Sequence, residues 1–355
     1  MIHMDKYSEI PSCNNLTSYP TIIDIVEMIA EQEEKSVESF SPLQSTSISK
    51  MIRNGFYTVI RGEKKGTTEL VPTSKSGLTT YRGQNRFYET CRPSLYRDYN
   101  EGNELYSHLQ ISELKVLLDS HPVIASIAGN SLYHPQIGAI HLNIHYEGLA
   151  QHYGIHTRLM DFTNDKWTAA FFATTHWVNN TYEPVYPDKD NRYGILYIAD
   201  PSNPEMHAIG LQYFNRPGAQ SGFALRMTPN QDLNQLPTIR KIFFRHDANA
   251  SSVTYSMNQK GSRLFPEDSL IEKVDSIIKS KTFSDAAIAV CKESYYRTLS
   301  ADEFKLLLDR YGISSQPKPV VSFPDEELTK EWNAWIKDGA DRYLSSLHVL
   351  PLLRF

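Results

Sequence analysis

Hydrophobic and polar residues follow two periods along this chain, one typical of strands and one typical of amphipathic helices. The segments Phe56–Arg61 and Ile239–Arg245 are rich in β-branched and aromatic residues, which favours strands. Apolar residues recur every three or four positions in 21–36, 103–119 and 142–153, and this spacing predicts helices. Because the chain combines both kinds of element, we predict an α+β fold.

The predicted architecture is a central mixed or antiparallel sheet flanked by helices, followed by a helical C-terminal extension. The polar, glycine-containing segment 74–77 indicates a boundary. We predict an N-terminal helix and hairpin region at 1–78, a main domain at 79–280 and the helical extension at 281–355. The strands of the sheet are expected near Tyr57, Thr80, Leu159, Leu196, Ala224 and Phe243.

Composition and charge narrow the class of protein. The chain has 355 residues, of which 40% are hydrophobic and 22% charged, as in a globular protein with a sizeable core. Its net charge of −5 comes from 36 basic and 41 acidic side chains, so it has no overall attraction for nucleic acid or anionic membranes. Any contact with nucleic acid would need a local basic patch.

The cysteines and histidines argue against structural crosslinks and metal sites. Cys13, Cys91 and Cys291 are odd in number and far apart, which disfavours a disulfide framework and a zinc site built from paired thiolates. The twelve histidines show no helical ligand spacing, so no metal is expected. Residues 1–12 have no signal-peptide pattern, and no run approaches the ~20 apolar residues of a membrane span. We expect a cytoplasmic protein without membrane contact.

The densest polar chemistry lies at 149–177, between two helical patterns. Gln151 and His152 are expected in the last turn of a helix that Gly154 ends as a left-handed cap residue. A protonated imidazole would be favoured there by the helix dipole. The stretch predicts a site, and its polar candidates are Gln151, His152, His156, Arg158, Asp161 and Thr163.

The strand expected at 155–163 directs its candidate side chains to opposite faces. Strict alternation places Asp161 and Thr163 on one face and Arg158 on the other, so Arg158 and Asp161 share no pocket unless the strand bulges or ends between them. Thr163 or Asn164 is expected to cap the next helix, with Asp165 in its first turn. A helix start also suits a phosphate, but capping alone accounts for these residues. One face of that helix is expected to carry Ala169, Phe172, Ala173 and His176.

Two arginines lie earlier in the chain, near the end of a predicted strand. Arg82 is placed where the strand 78–84 gives way to a loop, and Arg97 follows shortly after. A guanidinium offers a rigid fork of donors that suits phosphate or carboxylate, so both are candidates for binding an anion. Alternatively each arginine pairs with an acid of the protein itself, which is the commoner role of an isolated arginine.

Short motifs recur in a fixed order along the middle of the chain. They are Tyr81-Arg82-Gly83-Gln84, Pro93-Ser94-Leu95-Tyr96-Arg97, Gln151-His152-Tyr153-Gly154, the run from Thr157 to Thr163, Ala170-Phe171-Phe172-Ala173, Asn215-Arg216, Gln220-Ser221-Gly222-Phe223 and Leu264-Phe265-Pro266-Glu267. In this order they resemble the FRG domain family of bacterial and phage-associated modules, named for a Phe-Arg-Gly signature whose first residue is tyrosine here. The likeness extends over roughly residues 79 to 278. Two departures, at His156 and at Lys166-Trp167, fall where the family usually has proline and affect the shape of the turn.

A fainter similarity, to ADP-ribosyltransferases, implies an activity and a cofactor. Arg82 resembles the first-strand arginine that holds a phosphate or ribose of NAD in these enzymes, and Thr163 would shape the nicotinamide pocket. Such enzymes normally carry a glutamate on a later strand, where this chain has Gln220 and no acid. With this resemblance we predict Arg82, His152, Asp161 and Gln220 as catalytic residues, and Tyr81, Gln84, Arg97, Arg158, Thr163 and Arg216 as residues that bind the cofactor NAD.

Carboxylates and a histidine of this chain suit the cleavage of the bond between nicotinamide and ribose. Breaking a glycosidic bond to a cationic leaving group requires positioning and charge stabilisation more than acid catalysis. Asp161 or Glu267 is a candidate for the negative charge, and His152 for a base toward an acceptor if it titrates near neutrality.

Three functions therefore stay open. The first is an NAD-dependent effector or antiphage defence protein, a toxin that cleaves the nicotinamide glycosidic bond, with a nucleotide ligand and a protein or nucleic acid as acceptor. The second is a nucleic-acid-binding module or nuclease, whose salt-dependent affinity would reveal it. The third is a non-catalytic sensor or interaction domain in which the arginines and aspartates form one buried ion-pair network. In the nucleic-acid-binding module or nuclease, a phosphate groove would be lined by Arg82, Arg97, Arg158 and Arg216, with His152 and Asp161 performing hydrolysis.

Overall fold

The computed structural model describes residues 4–12, 14–38, 46, 49–50, 56–75, 77–134, 138–188, 191–199, 203–339 and 348–350. Its architecture is α+β, as predicted, with helices around a central sheet. Cys13 and residues 340–347 of the expected C-terminal helix lie outside the described residues.

Strands and helices alternate irregularly along the described part of the chain. The strands are β1 Phe56–Arg61, β2 Thr68–Pro72, β3 Thr80–Gln84, β4 Leu132–His134, β5 Gly138–Ile140, β6 Leu159–Thr163, β7 Thr175–Val178, β8 Thr181–Pro184, β9 Tyr193–Ala199, β10 Met206–Ala208, β11 Gly222–Arg226, β12 Ile239–Arg245, β13 Thr282–Ser284, β14 Ser314–Gln316 and β15 His348–Leu350. The α-helices are α1 Ile22–Glu38, α2 Glu101–Asp119, α3 Pro122–Gly129, α4 Tyr146–His152, α5 Lys166–Thr174, α6 Arg216–Ala219, α7 Ala248–Met257, α8 Leu270–Lys279, α9 Asp285–Tyr295, α10 Ala301–Arg310 and α11 Asp325–Ala334.

Six strands form the central sheet in the order β10, β11, β6, β3, β9, β12, and every neighbouring pair is antiparallel. Five of the six segments expected in this sheet belong to it. The prediction for the strand near Tyr57 is wrong, because β1 pairs with β2 and β15 in a separate sheet. Periodicity identifies a strand, but the partner of that strand depends on contacts distant in sequence.

The central sheet divides between β3 and β6. Five residue pairs join β3 to β9, and five join β6 to β11. Between β3 and β6 the described register has one pair, Tyr81 opposite Thr163. Beyond that pair the two strands diverge, so the sheet opens along the second half of β3.

The two faces of the sheet bury separate cores. Alternation along β9 and β12 sends Leu196 and Ile242 to the face that α1 and α5 cover. Tyr197 and Phe243 point to the opposite face, where they pack with residues of the surrounding loops. The same alternation along β3 turns Tyr81 toward the helices.

Gly83 allows α5 to pack directly against β3. A Cβ atom at this position would lie 1.9 Å from the carbonyl oxygen of Ala169 and 2.7 Å from the backbone nitrogen of Ala173. Contacts this short are impossible for any residue with a side chain, so glycine sets the distance between strand and helix. Because Arg82 and Gly83 are adjacent, the same packing fixes the position of Arg82.

The two helices around the polar stretch differ from the predicted ones at their starts. The predicted helix 142–153 begins only at Tyr146, because His145 caps it and its Nδ1 accepts a hydrogen bond from the Gly148 nitrogen at 2.9 Å. It ends at His152, and Gly154 has the expected left-handed conformation, with φ +99°.

The N-cap prediction for α5 is wrong. Asp165 is the cap, and its carboxylate accepts hydrogen bonds from the backbone nitrogens of Trp167 and Thr168 at 3.1 and 3.2 Å. The Thr163 hydroxyl instead accepts from the Asp165 nitrogen at 3.0 Å. The helix ends at Thr174, so His176 lies in β7 and not on the helix face.

The extension at 281–339 is helical in α9, α10 and α11, as expected. Phe283 and Cys291 share a core with Leu105 and Leu109 of α2, and Phe304 of α10 joins the same cluster. This packing attaches the extension to the rest of the chain. The boundaries at 78 and 280 stay predictions.

Candidate functional site

A cleft of about 920 Å³ opens where β3 and β6 diverge. Its walls come from β3, β6, the loop that follows β3, helix α5 and the hairpin of β7 and β8. A volume of this size is typical of small-molecule sites. The division of the central sheet therefore produces a cleft large enough for a small molecule.

Exposure separates the lining residues into three levels. Tyr81, Cys91, Thr163 and Gln220 are buried and form the floor. Half-buried residues stand above it: Arg82, Gln84, Arg92, Asp161, Phe172 and Tyr182. Exposed residues surround the mouth: Arg86, Tyr88, Thr90, Arg97, Trp177 and Val178.

Arg82 reaches across the division of the sheet. Its Nη1 donates a hydrogen bond to the backbone carbonyl of Asp161 at 2.9 Å, and its Nε donates to Oε1 of Gln84 at 3.2 Å. The thiol of Cys91 donates to the same Gln84 oxygen at 3.0 Å. These neutral acceptors orient the guanidinium without neutralising its charge.

Positive charge dominates the cleft. Its lining contains four arginines, Arg82, Arg86, Arg92 and Arg97, and one acid, Asp161. Across the described residues these arginines form no ion pair, whereas other arginines of the chain do. Since the whole chain carries a net charge of −5, the cleft is a local basic surface on an acidic protein.

The carboxylate of Asp161 is held on one side only. Gln151 Nε2 donates to Oδ2 at 3.0 Å, and the Oε1 of Gln151 accepts from the Thr157 hydroxyl at 2.6 Å. The other oxygen, Oδ1, is buried and has no hydrogen-bond partner in the described structure. Burying a carboxylate oxygen without a donor is unfavourable, so the hydrogen-bonding capacity of this carboxylate is only partly satisfied in the described structure.

Thr163 and Gln220 link β6 to the turn before β11. The Thr163 hydroxyl donates to the Gln220 carbonyl at 2.7 Å, and Gln220 Nε2 donates to the Leu264 carbonyl at 3.0 Å. Both side chains are therefore engaged in structural contacts at the floor.

His152 lies behind Gln220 and does not line the cleft. The residue is half-buried, but its Nε2 is shielded from solvent and faces Gly222. Burial lowers the pKa of this imidazole, and the nearby Arg216 acts in the same direction, although Asp161 and a hydrogen bond with Gln220 oppose it. Because His152 does not line the cleft, a packing role fits it better than that of a base.

Two expected ligands of the cofactor point elsewhere. The Nε of Arg158 pairs with Glu147 at 3.0 Å, outside the cleft. The guanidinium of Arg216 stacks 4.7 Å from the centre of the Tyr153 ring. Strand periodicity anticipated that Arg158 and Asp161 share no pocket, and the lining residues agree.

Aromatic rings form one side of the cleft, which we call the aromatic wall: Phe172, Trp177 and Tyr182. Tyr182 packs edge-on against Phe172, with ring centres 5.9 Å apart, and stacks on Phe265 behind it at 5.0 Å. Burial and the negative charge of Asp161 raise the pKa of Tyr182 to about 12, so its hydroxyl stays neutral. The wall offers flat apolar surfaces next to the arginines.

The hairpin that carries this wall was missed in the sequence. Asn179 and Asn180 both adopt positive φ, at 50° and 61°, which is the geometry of a tight two-residue hairpin turn. The register places Trp177 opposite Tyr182. Two asparagines between alternating polar and aromatic residues are a hairpin pattern, but the strong helical pattern before them obscured it.

The described residues show neither a metal centre nor a membrane span. No three side chains of His, Cys, Asp or Glu are grouped so that they could hold a metal ion. None of the helices in the described part is long and apolar enough to cross a bilayer.

A comparison of the sequence with protein families finds a match in the part of the chain that forms most of the cleft. The model of the FRG domain matches residues 78–181. This part of the chain is similar to the FRG domain. The matched part of the chain includes β3, the loop after it, β6, α5 and β7, and thus most of the cleft. The motifs at 215–223 and 264–267 lie beyond the match, and no curated protein or solved structure matches the chain.

The geometry gives the signature of the FRG domain a physical meaning. Arg82 spans the division of the sheet, and Gly83 brings α5 against β3. Asp161 lies at the opposite edge of the division, with its backbone bonded to Arg82. The sequence missed Arg86, Arg92, Trp177 and Tyr182 as cleft residues, because only the folded loop and hairpin bring them to the same opening.

Proposed function

We propose that the FRG-like region of this chain binds NAD in the cleft and cleaves the glycosidic bond between nicotinamide and ribose, as an ADP-ribosyltransferase-like enzyme. One observation carries the proposal: arginines without acidic partners and a single carboxylate, Asp161, line the same opening. A dinucleotide requires a positive site for its phosphates, and a glycosidic cleavage requires negative charge near the ribose.

The half-buried arginines suit the diphosphate. Arg82 is oriented by the Asp161 carbonyl and by Gln84, which leaves its charge available to a phosphate oxygen. Arg92 has a buried Nε without a hydrogen-bond partner in the described structure, and Arg97 stands at the mouth above it. Guanidinium groups bind phosphate through paired, charge-assisted hydrogen bonds.

The inner rings of the aromatic wall suit a planar base. Phe172 and Tyr182 are half-buried and turned toward the opening, and the Tyr182 hydroxyl remains a neutral donor. Stacking on such rings holds a nicotinamide or adenine ring without demanding a particular hydrogen-bond pattern.

Asp161 supplies the charge that the reaction needs. As the bond to nicotinamide breaks, positive charge develops on the ribose ring, and a carboxylate at that position stabilises it. Nicotinamide departs as a neutral molecule, so no acid is required to protonate it. In this proposal Asp161 replaces the glutamate whose usual position is occupied by Gln220, while Gln220 and Thr163 shape the floor.

The two other functions receive less support from the geometry. A hydrolytic pair of His152 and Asp161 would need both side chains in the opening, and His152 does not line it. A sensor built on one buried ion-pair network would need acidic partners for the cleft arginines, and Asp161 meets Arg82 through its backbone carbonyl.

The test is release of nicotinamide from NAD, measured by mass spectrometry with the purified chain. We expect Arg82→Ala to lower kcat/KM about 10- to 100-fold, the effect of losing a charged hydrogen bond to a phosphate. Arg297→Ala is the matched control, since Arg297 is exposed and lies outside the cleft. Thermal melting of all three proteins separates loss of function from loss of fold.

Two results would overturn the proposal. The first is wild-type protein that releases no more nicotinamide than a blank and shows no NAD binding by calorimetry. The second is Arg82→Ala that remains folded and acts at the wild-type rate.

A further inference from the structure

We infer that the mouth of the cleft is a docking surface for single-stranded nucleic acid, which serves as the acceptor of ADP-ribose. The inference rests on the proposed function. It names the acceptor class and uses residues that the nucleotide site does not. We call Arg86, Tyr88 and Trp177 the rim surface.

The rim surface presents rings to solvent. Trp177 is 59% exposed and Tyr88 is 43% exposed, so both rings are open to solvent. Trp177 packs edge-on against Tyr182, with ring centres 4.8 Å apart and planes at 65°. This contact fixes the indole at the tip of the hairpin and leaves much of its surface open for stacking.

Arginine and aromatic groups alternate on the rim. The Arg86 guanidinium lies 4.8 Å from the centre of the Tyr88 ring, and its Nε donates to the Tyr88 hydroxyl at 2.6 Å. Positive charge beside exposed rings is the combination that binds unpaired nucleotides, since phosphates pair with arginine and bases stack on aromatic faces.

Charge favours nucleic acid as the partner. The lining of the cleft carries four arginines and one acid, on a chain whose net charge is −5. An acidic peptide would also meet the arginines, but it would leave Trp177 and Tyr88 without partners of matching shape. In a duplex the bases are stacked on one another and cannot reach these rings, which selects a single strand.

The location of the rim surface fits an acceptor. Asp161 and the half-buried arginines lie below the mouth, so a nucleotide that stacks on Trp177 stands over the bound NAD. A nitrogen or oxygen of that nucleotide attacks the anomeric carbon of the nicotinamide ribose and forms a new bond to it. The bond to nicotinamide breaks, its electron pair leaves with neutral nicotinamide, and the proton of the acceptor passes to water.

The experiment measures the binding of fluorescent single-stranded RNA and DNA of about 12 nucleotides by anisotropy. The measurement is repeated at salt concentrations from about 50 to about 200 mM. We expect Trp177→Ala and Tyr88→Ala to weaken binding roughly 5- to 100-fold, the effect of losing one stacked base. Arg86→Ala should lower the slope of log K against log salt by about 0.7. Tyr186→Ala is the control, because Tyr186 is 57% exposed and lies outside the cleft.

A second measurement separates this inference from the proposed function. Release of nicotinamide with water as acceptor should be retained in Tyr88→Ala and Trp177→Ala, while transfer of ADP-ribose to the oligonucleotide, read by mass spectrometry, should fall with binding. Trp177→Phe, which keeps a ring, should restore both binding and transfer.

The inference is wrong if the rim variants bind single strands as tightly as wild type, or if wild type prefers an oligoglutamate or a duplex to a single strand. If nicotinamide is never released but binding depends on the rim, the proposed function and the acceptor role both fail, and the docking surface alone stands.

Discussion

At the scale of single residues, the cleft depends on side chains whose charges the protein leaves available. Arg82 contacts a backbone carbonyl and an amide, and Asp161 contacts one amide. By contrast, the ion pair of Arg158 with Glu147 satisfies both charges within the protein. The family motif contains all three residues, but only their contacts separate an arginine whose charge stays available, Arg82, from one that is paired with an acid, Arg158.

Asp161→Asn tests the role of the carboxylate. The amide keeps the size of the side chain and can still bond with Gln151, so the fold should be retained. Without the negative charge, kcat for nicotinamide release should fall about 100- to 1,000-fold while KM changes little, since the charge acts on the transition state. Steady-state kinetics with NAD provide the measurement.

Asp275→Asn is the matched control for that substitution. Asp275 lies on α8, pairs with Lys279 and does not line the cleft, so its replacement should leave both constants unchanged. An Asp161→Asn protein that keeps the wild-type kcat would remove the carboxylate from the reaction.

At the scale of elements, one glycine decides how strand and helix combine. The close approach of α5 to β3 at Gly83 brings Phe172 of the helix and Arg82 of the strand to the same opening. The hairpin of β7 and β8 then extends the wall beyond the helix. No single element forms the cleft, which results from the way β3, α5 and the hairpin of β7 and β8 pack together.

Gly83→Ala should destabilise the protein and damage the site together. The new Cβ would lie 1.9 Å from the carbonyl oxygen of Ala169, so α5 must move away from β3. We expect a loss of about 1–3 kcal/mol in the free energy of unfolding, as for other overpacked positions. Chemical denaturation gives the free energy, and calorimetry gives the accompanying loss of NAD affinity.

Gly129→Ala controls for the added methyl group. A Cβ at Gly129 meets no atom within 4 Å, and the residue ends α3, so stability should stay the same or rise slightly. Equal stabilities of the two variants would show that α5 is not in contact with β3 as described.

At the scale of the whole molecule, buried acids and histidines make stability depend on pH in opposite directions. Glu69 is 2% exposed and accepts a hydrogen bond from Asn143 at 2.9 Å; burial, with the charge of Glu63 adding to it, raises the pKa of Glu69 to about 8. His108 is the reverse case, since burial lowers its pKa to about 4 and the neutral ring is favoured in the fold.

Glu69→Gln isolates the acid's contribution. In wild type, the folded chain keeps a proton on Glu69 from its ordinary pKa of 4.5 up to about 8, and the unfolded chain does not. Stability from this group is therefore fully present below pH 4.5 and is lost as the pH rises through that window. Glutamine cannot ionise, so the free energy of unfolding of the variant should exceed that of wild type by roughly 3 to 5 kcal/mol at pH 8. Near pH 4 the two free energies should be equal.

Denaturation curves at several pH values measure this difference, and Glu293→Gln on the exposed face of α9 is the control. Because His108 loses its stabilising effect below its ordinary pKa in wild type and variant alike, its contribution cancels. A difference between wild type and Glu69→Gln that does not change with pH would contradict the ionisation of Glu69.

The sequence by itself determined the α+β class, the strands Phe56–Arg61 and Ile239–Arg245, and the family motif around Arg82 and Asp161. These features depend on local periodicity and short motifs, which are present in the sequence whether or not the chain is folded. It also showed that Arg158 and Asp161 diverge, because side-chain direction along a strand is a local property.

Only the tertiary structure decided that the sheet divides at β3 and β6, that β1 belongs to another sheet and that Asp165 caps α5. It also decided that Arg92 and Trp177 meet Arg82 at one opening while His152 and Arg216 do not. Strand pairing and the closure of a cleft depend on contacts between residues far apart in the chain. Such contacts produce no periodic pattern in the local sequence, so the sequence alone does not predict them.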